Sequence, residues 1–411
     1  MPPKYKGRIL LVVSQFPRLS ETFIVSKFVH LLAIGWDVHI LATRFNRHTW
    51  NAFDTLANQP GLKQRIHIEP PSSPLWKAIL SAAPIMGYVA LRHPMRCVRY
   101  LRRQPPNLQS LKRFYLDSVL LRIHPDILHF EFGALAQPKA YLKQLIPTRL
   151  AVSFRGYDIS YVGLPDPHYY NPLWRVVDGV HFLGQDLLNR AIHRGFRADD
   201  TFHMIIPPAV DLRKFPSIPK KYTHPPNPLR ILSIGRLEWK KGYEYALLAV
   251  KALQNQGIPF EYRIVGDGQM RECLYLLRHR LGLSQQVHLL GAMPHRQVLT
   301  QLQWADVLLH ASVSEGFCNA VQEAQAMRVP PVVSDAEGLP ENVADGITGF
   351  VVPRRDPHAL ADKLEILYRD PALRKRMGTA GRQRITSHFS IQKQSAAFDR
   401  FYTQLMAQPP R

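Results

Sequence analysis

The chain has 411 residues, 46% of them hydrophobic, with 34 prolines and 23 glycines. That length exceeds what one hydrophobic core usually supports, so two domains are expected, with apolar content ample for buried sheets. The formal net charge of +22 points to anionic partners, while the three cysteines (Cys97, Cys273 and Cys318), odd in number and scattered, have no metal-ligand spacing and suggest a reducing compartment.

Arg8-Ile9-Leu10-Leu11-Val12-Val13 predicts a first strand; its apolar run is too short for a secretory signal. It leads into Phe16-Pro17-Arg18-Leu19-Ser20-Glu21-Thr22-Phe23-Ile24. Ser20 can cap a helix whose apolar residues include Phe23, Val25, Phe28 and Leu31. The longest apolar stretch, Leu75 to Leu91, contains Lys77 and Pro84 and is too short to span a bilayer comfortably.

From Arg92 to Arg113 the sequence holds seven cations, Arg92, Arg96, Arg99, Arg102, Arg103, Lys112 and Arg113, and no acid. Tyr100, Phe114 and Tyr115 are interleaved. A polybasic segment beside an apolar one suits an anionic membrane surface, at roughly 1 kcal/mol per cation near the lipid, and suits a lipid-diphosphate acceptor. The plain alternative is a solvated basic face. Nucleic acid is not expected as a partner: basic patches do read phosphate backbones, but no RNA- or DNA-binding motif accompanies this one.

Two more strand-to-loop segments follow, Asp126-Ile127-Leu128-His129-Phe130-Glu131-Phe132-Gly133 and Val152-Ser153-Phe154-Arg155-Gly156-Tyr157-Asp158-Ile159. Residues 207–228 are proline-rich with little apolar periodicity, and mark a linker between an N-terminal domain (1–206) and a second strand–helix series (229–390). A last helix is expected within 391–411.

In the second series, Leu229-Arg230-Ile231-Leu232 is a strand running into Ser233-Ile234-Gly235-Arg236-Leu237-Glu238-Trp239-Lys240-Lys241-Gly242. Arg236 offers a planar fork matched to phosphate oxygens and Lys241 a mobile point charge, together able to neutralise a diphosphate leaving group. Arg263-Ile264-Val265-Gly266-Asp267-Gly268 and Val287-His288-Leu289-Leu290-Gly291 repeat the strand–glycine turn, a weak signal taken singly. Ala305-Asp306-Val307-Leu308-Leu309-His310 then precedes Ser314-Glu315-Gly316-Phe317-Cys318-Asn319-Ala320-Val321-Gln322-Glu323. Glu315 is placed in the loop at the carboxyl end of a strand, and Glu323 about one turn into the next helix. Ligands of open α/β sheets bind at that edge, and Gly316 with a helix N-terminus favours an anion. A carboxylate there repels phosphate, so it accepts from hydroxyls instead. Hydroxyls plus phosphate point to a nucleotide-sugar. Taken alone, two glutamates at this spacing are weak evidence, and a helix N-terminal charge with a solvated side chain is the commoner reading.

In this order and spacing, residues 229–390 resemble the C-terminal domain of retaining family-4 glycosyltransferases. The specific part is the pairing of GRLEWKKG with E-x7-E. The openings FPRLSETFI, DILHFEFG and VSFRGYDI resemble the exopolysaccharide branch, typified by colanic-acid glycosyltransferases. The resemblance implies an α/β, GT-B fold: two Rossmann-like domains facing a central cleft, with the C-terminal helix crossing back to the N-domain. It implies that Arg236 and Lys241 hold the donor diphosphate beside Gly235. Glu315 contacts sugar hydroxyls, with the backbone of Gly316, Phe317, Cys318 and Asn319 beside it. Glu323 binds the ribose. The turns after Gly266 and Gly291, including Met293, line the base pocket. Ser20, Glu21, Thr22, His129, Gly156 and Asp158 face the acceptor side.

The chain departs from the branch at three positions. Arg155 stands where His is usual, Glu131 where His is common, and Ala209 where Gly is usual. A His titrates near neutral pH; Arg155 only donates hydrogen bonds and stabilises negative charge. A retaining front-face displacement needs no base there, since the departing phosphate can take the acceptor proton. Arg155 is therefore counted with Glu315, Lys241 and Arg236 as a catalytic candidate. No D-x-D occurs, so no metal and no cofactor is expected beyond the donor substrate. The expected function is retaining transfer from a nucleoside-diphosphate sugar to a lipid-linked saccharide in surface polysaccharide assembly, at the cytoplasmic membrane face. The alternatives are a transferase with a small soluble acceptor, and a non-catalytic basic binder that kept the fold.

Overall fold

The computed structural model describes residues 5–18, 21–59, 61–70, 84, 87–216 and 228–409. Ser20, residues 75–83, 85 and 86 of the apolar stretch and residues 217–227 of the linker lie outside them. The chain forms two compact units, one comprising Met1–Phe182, Leu187–Ile206 and Ser395–Arg411, the other Leu183–Asp186 and Pro207–Gln394.

The N-terminal unit begins with β1 (Arg8–Phe16), α1 (Thr22–Ala33), β2 (Asp37–Phe45) and β3 (Ile66–Ile68). Next come α2 (Pro94–Arg102), α3 (Leu108–Ile123), β4 (Ile127–Phe130), β5 (Arg149–Phe154), β6 (Gly179–Phe182) and β7 (Phe202–Ile205). The seven strands form one sheet in the order β3-β2-β1-β4-β5-β6-β7. Neighbours run parallel, with Ile9 beside both Val38 of β2 and Ile127 of β4. Ile9, Leu10 and Leu11 have no exposed surface. A strand covered on both faces explains why β1 is a continuous apolar run rather than an alternating one. Helix α1 buries Ile24, Val25, Phe28 and Leu31, a spacing that follows its 3.6-residue turn.

The C-terminal unit contains β8 (Leu229–Ile234), α4 (Tyr243–Asn255), β9 (Phe260–Val265), α5 (Arg271–Arg280), β10 (Val287–Gly291), α6 (His295–Trp304) and β11 (Val307–His310). They are followed by α7 (Asn319–Ala326), β12 (Pro331–Ser334), β13 (Phe350–Val352), α8 (Pro357–Arg369), α9 (Pro371–His388) and α10 (Ile391–Ala407). Its six strands are ordered β10-β9-β8-β11-β12-β13, again parallel, with Ile231 of β8 beside Val307 of β11. From Ser395 on, α10 belongs to the N-terminal unit, where Phe398, Phe401, Tyr402 and Leu405 share a core with β1 and α1.

Strand order reverses between β1 and β4 in the first sheet and between β8 and β11 in the second. A crevice opens beyond the carboxyl ends of the strands at such switch points. The candidate residues Arg236, Lys241 and Glu315 follow β8 and β11, whereas Glu21 and Glu131 follow β1 and β4. Among the described residues no helix is long and apolar enough to cross a membrane.

Candidate active site

In the C-terminal unit, glycines let the ends of three strands approach closely. Gly266 has φ +149°, and a Cβ there would stand 1.8 Å from the Gly235 carbonyl oxygen. Its own N–H donates to the Gly291 carbonyl at 2.9 Å. The turns after β8, β9 and β10 therefore meet at one edge. Gly242 has φ +60°, and a side chain there would stand 2.1 Å from the Ala311 carbonyl oxygen. Val313 N–H donates to the Lys240 carbonyl at 2.8 Å. These two contacts dock the loop after β8 onto the loop after β11.

That docking delivers Lys241 to Glu315. The Lys241 ammonium donates to Glu315 Oε2, with both side chains nearly buried. His310, the last residue of β11, lies beside them: its Nε2 is 3.6 Å from Glu315 Oε2, 3.3 Å from Cys318 Sγ and 3.0 Å from Ser312 Oγ. Burial pushes the Glu315 carboxyl up, but Lys241 and His310 outweigh it and hold it at about 2. Burial pulls His310 down, but Cys318 and Glu315 raise it to about 9. Burial also lowers the Lys241 ammonium, which Glu315 more than offsets, leaving it raised. Cys318 is lowered: burial favours the thiol, and the neighbouring His310 charge overrides it. Near neutral pH Glu315 is thus ionised beside a protonated His310, and serves as an acceptor only.

The loop carrying Glu315 is held from behind. Glu337 Oε2 accepts from Glu315 N–H at 3.0 Å and from the Ser314 hydroxyl at 2.8 Å. Gly338 N–H donates to the Glu315 carbonyl at 3.0 Å, and Asn342 Oδ1 accepts from Cys318 N–H at 3.3 Å. Arg236 extends outward, 63% exposed, its Nη1 2.6 Å from Glu238 Oε1. Glu323 sits on α7 with Oε1 3.6 Å from His295 Nε2. Phe317 is buried with its ring centroid 5.8 Å from that of Phe389; Gly316 and Cys318 are buried, Met293 is half-buried and Asn319 exposed. His310 and Glu337 escaped the sequence reading. His310 resembles any polar residue at a strand end, and Glu337 is 22 residues from its Glu315 partner.

In the N-terminal unit the two departures from the family pattern prove to be partners. Arg155 Nη2 is 2.9 Å from Glu131 Oε2, and Lys27 Nζ is 2.6 Å from Glu131 Oε1. Both carboxylate oxygens are committed. The Arg155 guanidinium also lies 3.9 Å from the Phe23 ring centroid, and its Nε donates to the Glu131 carbonyl at 3.1 Å. Burial raises Glu131, but Lys27 and Arg155 bring it below its usual range. Burial lowers Lys27 to about 8 despite Glu131.

Two expected acceptor-facing residues are instead interior. His129 is fully buried; its Nδ1 is 2.6 Å from the Tyr402 hydroxyl and its Nε2 2.8 Å from Ser153 Oγ. The helix returning from the chain end covers it. Asp158 is fully buried too, accepting from Ala134 N–H at 2.9 Å and Arg155 N–H at 3.0 Å, so it ties two loops together. Glu21 lies at the N-cap position of α1 with its Oε1 3.0 Å from Arg18 Nη1. Burial raises its pKa against the pull of Arg18. Thr22 is exposed and Gly156 half-buried.

Residues 214–384 match the family described as Glycosyl transferases group 1. The chain is 28% identical over 366 residues to the "Putative colanic acid biosynthesis glycosyltransferase WcaL" of Escherichia coli K12, covering 85% of this chain and 88% of that protein. It is 28% identical over 382 residues to the amylovoran biosynthesis glycosyltransferase AmsK of Erwinia amylovora, covering 86% and 89%. Among solved structures, Anabaena HepE in complex with UDP superposes with a TM-score of 0.74 at 15% identity, over 97% of this chain and 100% of that one. With the site and these likenesses taken together, the chain carries a Glycosyl transferases group 1 domain in a GT-B fold and is a glycosyltransferase.

Proposed function

We propose that the enzyme transfers a sugar from a nucleoside-diphosphate sugar, with retention and without a metal, to a lipid-linked saccharide during surface polysaccharide assembly. The observation that carries this reading is the Lys241–Glu315–His310 cluster at the β8/β11 switch point. Ionised Glu315 accepts from two sugar hydroxyls. Lys241 sits beside it to stabilise charge growing on the diphosphate, and Arg236 turns from Glu238 to add a bidentate contact. The C1–phosphate bond breaks as the acceptor oxygen approaches the same face, and the departing phosphate oxygen takes the acceptor proton. Arg155, a catalytic candidate on sequence, is committed to Glu131 and Phe23 and takes no part in this step. The E. coli and Erwinia relatives, named for exopolysaccharide synthesis, and the UDP complex of HepE support the class of acceptor and donor.

The membrane part of the reading rests on α2 and its flanks. Leu91, Met95, Val98 and Leu101 are exposed, with Leu91 at 86% and Met95 at 74%. Arg92, Arg99, Arg102 and Arg103 are exposed among them, and Arg96, Lys112 and Arg113 half-buried. An apolar face fringed by arginine suits anionic lipid.

The test is a panel of nucleotide-sugars incubated with the purified protein and followed by mass spectrometry, with NMR of the anomeric centre of the product. A nucleoside diphosphate released with EDTA present, and an axial-to-axial or equatorial-to-equatorial product, is the expected result. Activity abolished by EDTA and restored by magnesium or manganese overturns the metal-free step, and inversion overturns retention.

A further inference from the structure

We propose that His310, Glu315 and Cys318 form a binding site for a thiophilic divalent cation of the zinc class, which occupies the pocket in competition with the sugar donor. Their ligand atoms all lie within 4.8 Å of one another. Cys318 Sγ and Glu315 Oε2 stand 3.3 and 3.6 Å from His310 Nε2. A tetrahedral zinc ion, with bonds of about 2.0 Å to nitrogen and oxygen and about 2.3 Å to sulfur, sets one nitrogen, one oxygen and one sulfur ligand roughly 3.3–3.5 Å apart. His310 thus already stands near ligand spacing from both Cys318 and Glu315, and these two, within 4.8 Å of each other, close on the ion as it binds. Ser312 Oγ, 3.0 Å from His310 Nε2, adds an oxygen at the same point.

The chemistry of the set favours a soft or borderline ion. One imidazole, one thiolate and one carboxylate suit zinc, cadmium or cobalt, and suit magnesium poorly. His310 Nε2 lies among the sulfur and oxygen atoms of Cys318, Glu315 and Ser312, and a cation bound there takes the place of any proton on it. Binding needs a deprotonated imidazole nitrogen and thiolate, so affinity rises with pH. Lys241 opposes binding, since its ammonium shares Glu315 Oε2. The cluster is thus built to work without the ion and to be blocked by it. Competition with the donor rests on the function proposed above; cation binding does not.

The experiment is a titration of the full chain with cobalt(II), zinc's spectroscopic stand-in, under anaerobic conditions. A thiolate-to-cobalt absorption band in the near ultraviolet, removed by added zinc, is the expected result. Cys318→Ser abolishes the band and weakens zinc binding by more than the roughly 10–100-fold that outer-shell changes cost. Cys273→Ser, which alters the exposed cysteine, leaves the band in place. Lys241→Met tightens the ion several-fold, an outcome that general damage to the fold does not produce. In donor hydrolysis, zinc raises KM for the sugar-nucleotide without lowering kcat, and magnesium at the same concentration does neither. Cobalt bound without a thiolate band, a band surviving in Cys318→Ser, or weaker binding in Lys241→Met overturns the site. A Cys318-dependent band with no competition against the donor leaves the cation site standing and removes the donor assignment.

Discussion

Each unit places a carboxylate among cations at its switch point, yet the two clusters are built to opposite ends. In the N-terminal unit, Glu131 has both oxygens bound, to Lys27 and Arg155, and is 1% exposed. In the C-terminal unit, Glu315 meets Lys241 and His310 through the same oxygen, Oε2, and its side chain is 15% exposed. Arg236 nearby is mostly in solvent. A closed pair spends its charge on the protein itself. A half-open one keeps acceptor capacity for a ligand, and its buried base holds that capacity in place.

The largest effect should come from breaking the closed cluster. Glu131→Gln leaves two buried cations, Lys27 and Arg155, without their shared counter-charge. Removing one partner of such a pair costs about 3–5 kcal/mol, measured as a fall in urea unfolding free energy. Near-neutral stability in that variant would mean that the cluster is solvated rather than closed. Next is the open cluster. Lys241→Ala and Glu315→Gln should each leave a folded protein by circular dichroism, while transfer falls by about 10²–10³ through loss of a contact made to the developing charge.

The pH dependence sharpens the contrast. His310 is raised from 6.5 to about 9, so the native state holds its proton more tightly. Its contribution to stability is complete below pH 6.5 and is lost as pH rises through 9. Lys27 is lowered from 10.5 to about 8, so the unfolded chain binds more protons between those values and stability rises with pH there. The two units should respond to alkali with opposite sign. His310→Asn should remove the alkaline loss, and Lys27→Met the alkaline gain, in denaturation midpoints followed from pH 6 to 10. Equal slopes in both variants would remove the distinction.

The smallest effect concerns the surface. Reversing Arg99, Arg102 and Arg103 to Glu should release the protein from anionic vesicles, with binding of the parent falling steeply as salt shortens the Debye length from about 8 Å. The same change should slow transfer to a lipid-linked acceptor and spare donor hydrolysis. Equal sedimentation with neutral and anionic vesicles would leave α2 an ordinary basic face.

Much of the architecture was legible because it is local. Apolar runs such as Ile9–Val13, glycines after strands, and the spacing of Glu315 to Glu323 are carried by short stretches of sequence. The pairing of Glu131 with Arg155 was not, although both residues stood out singly. It depends on β4 lying beside β5, which aligns the ends of two strands 24 residues apart. The burial of His129 was hidden for a similar reason. Its cover is Tyr402, 273 residues later, and nothing around His129 signals a returning helix. Lys27 is one cation among 53 lysines and arginines, distinguished only by the carboxylate that the fold sets beside it.

The central claim is that the C-terminal cluster binds and activates a sugar-nucleotide through Glu315 and Lys241. The most direct measurement is donor hydrolysis by the parent and by Glu315→Gln, with nucleoside-diphosphate binding followed in parallel by calorimetry. The account predicts that Glu315→Gln still binds the nucleoside diphosphate and loses hydrolysis by about 10²–10³. Hydrolysis at the parent rate in Glu315→Gln, with the true donor, would contradict it.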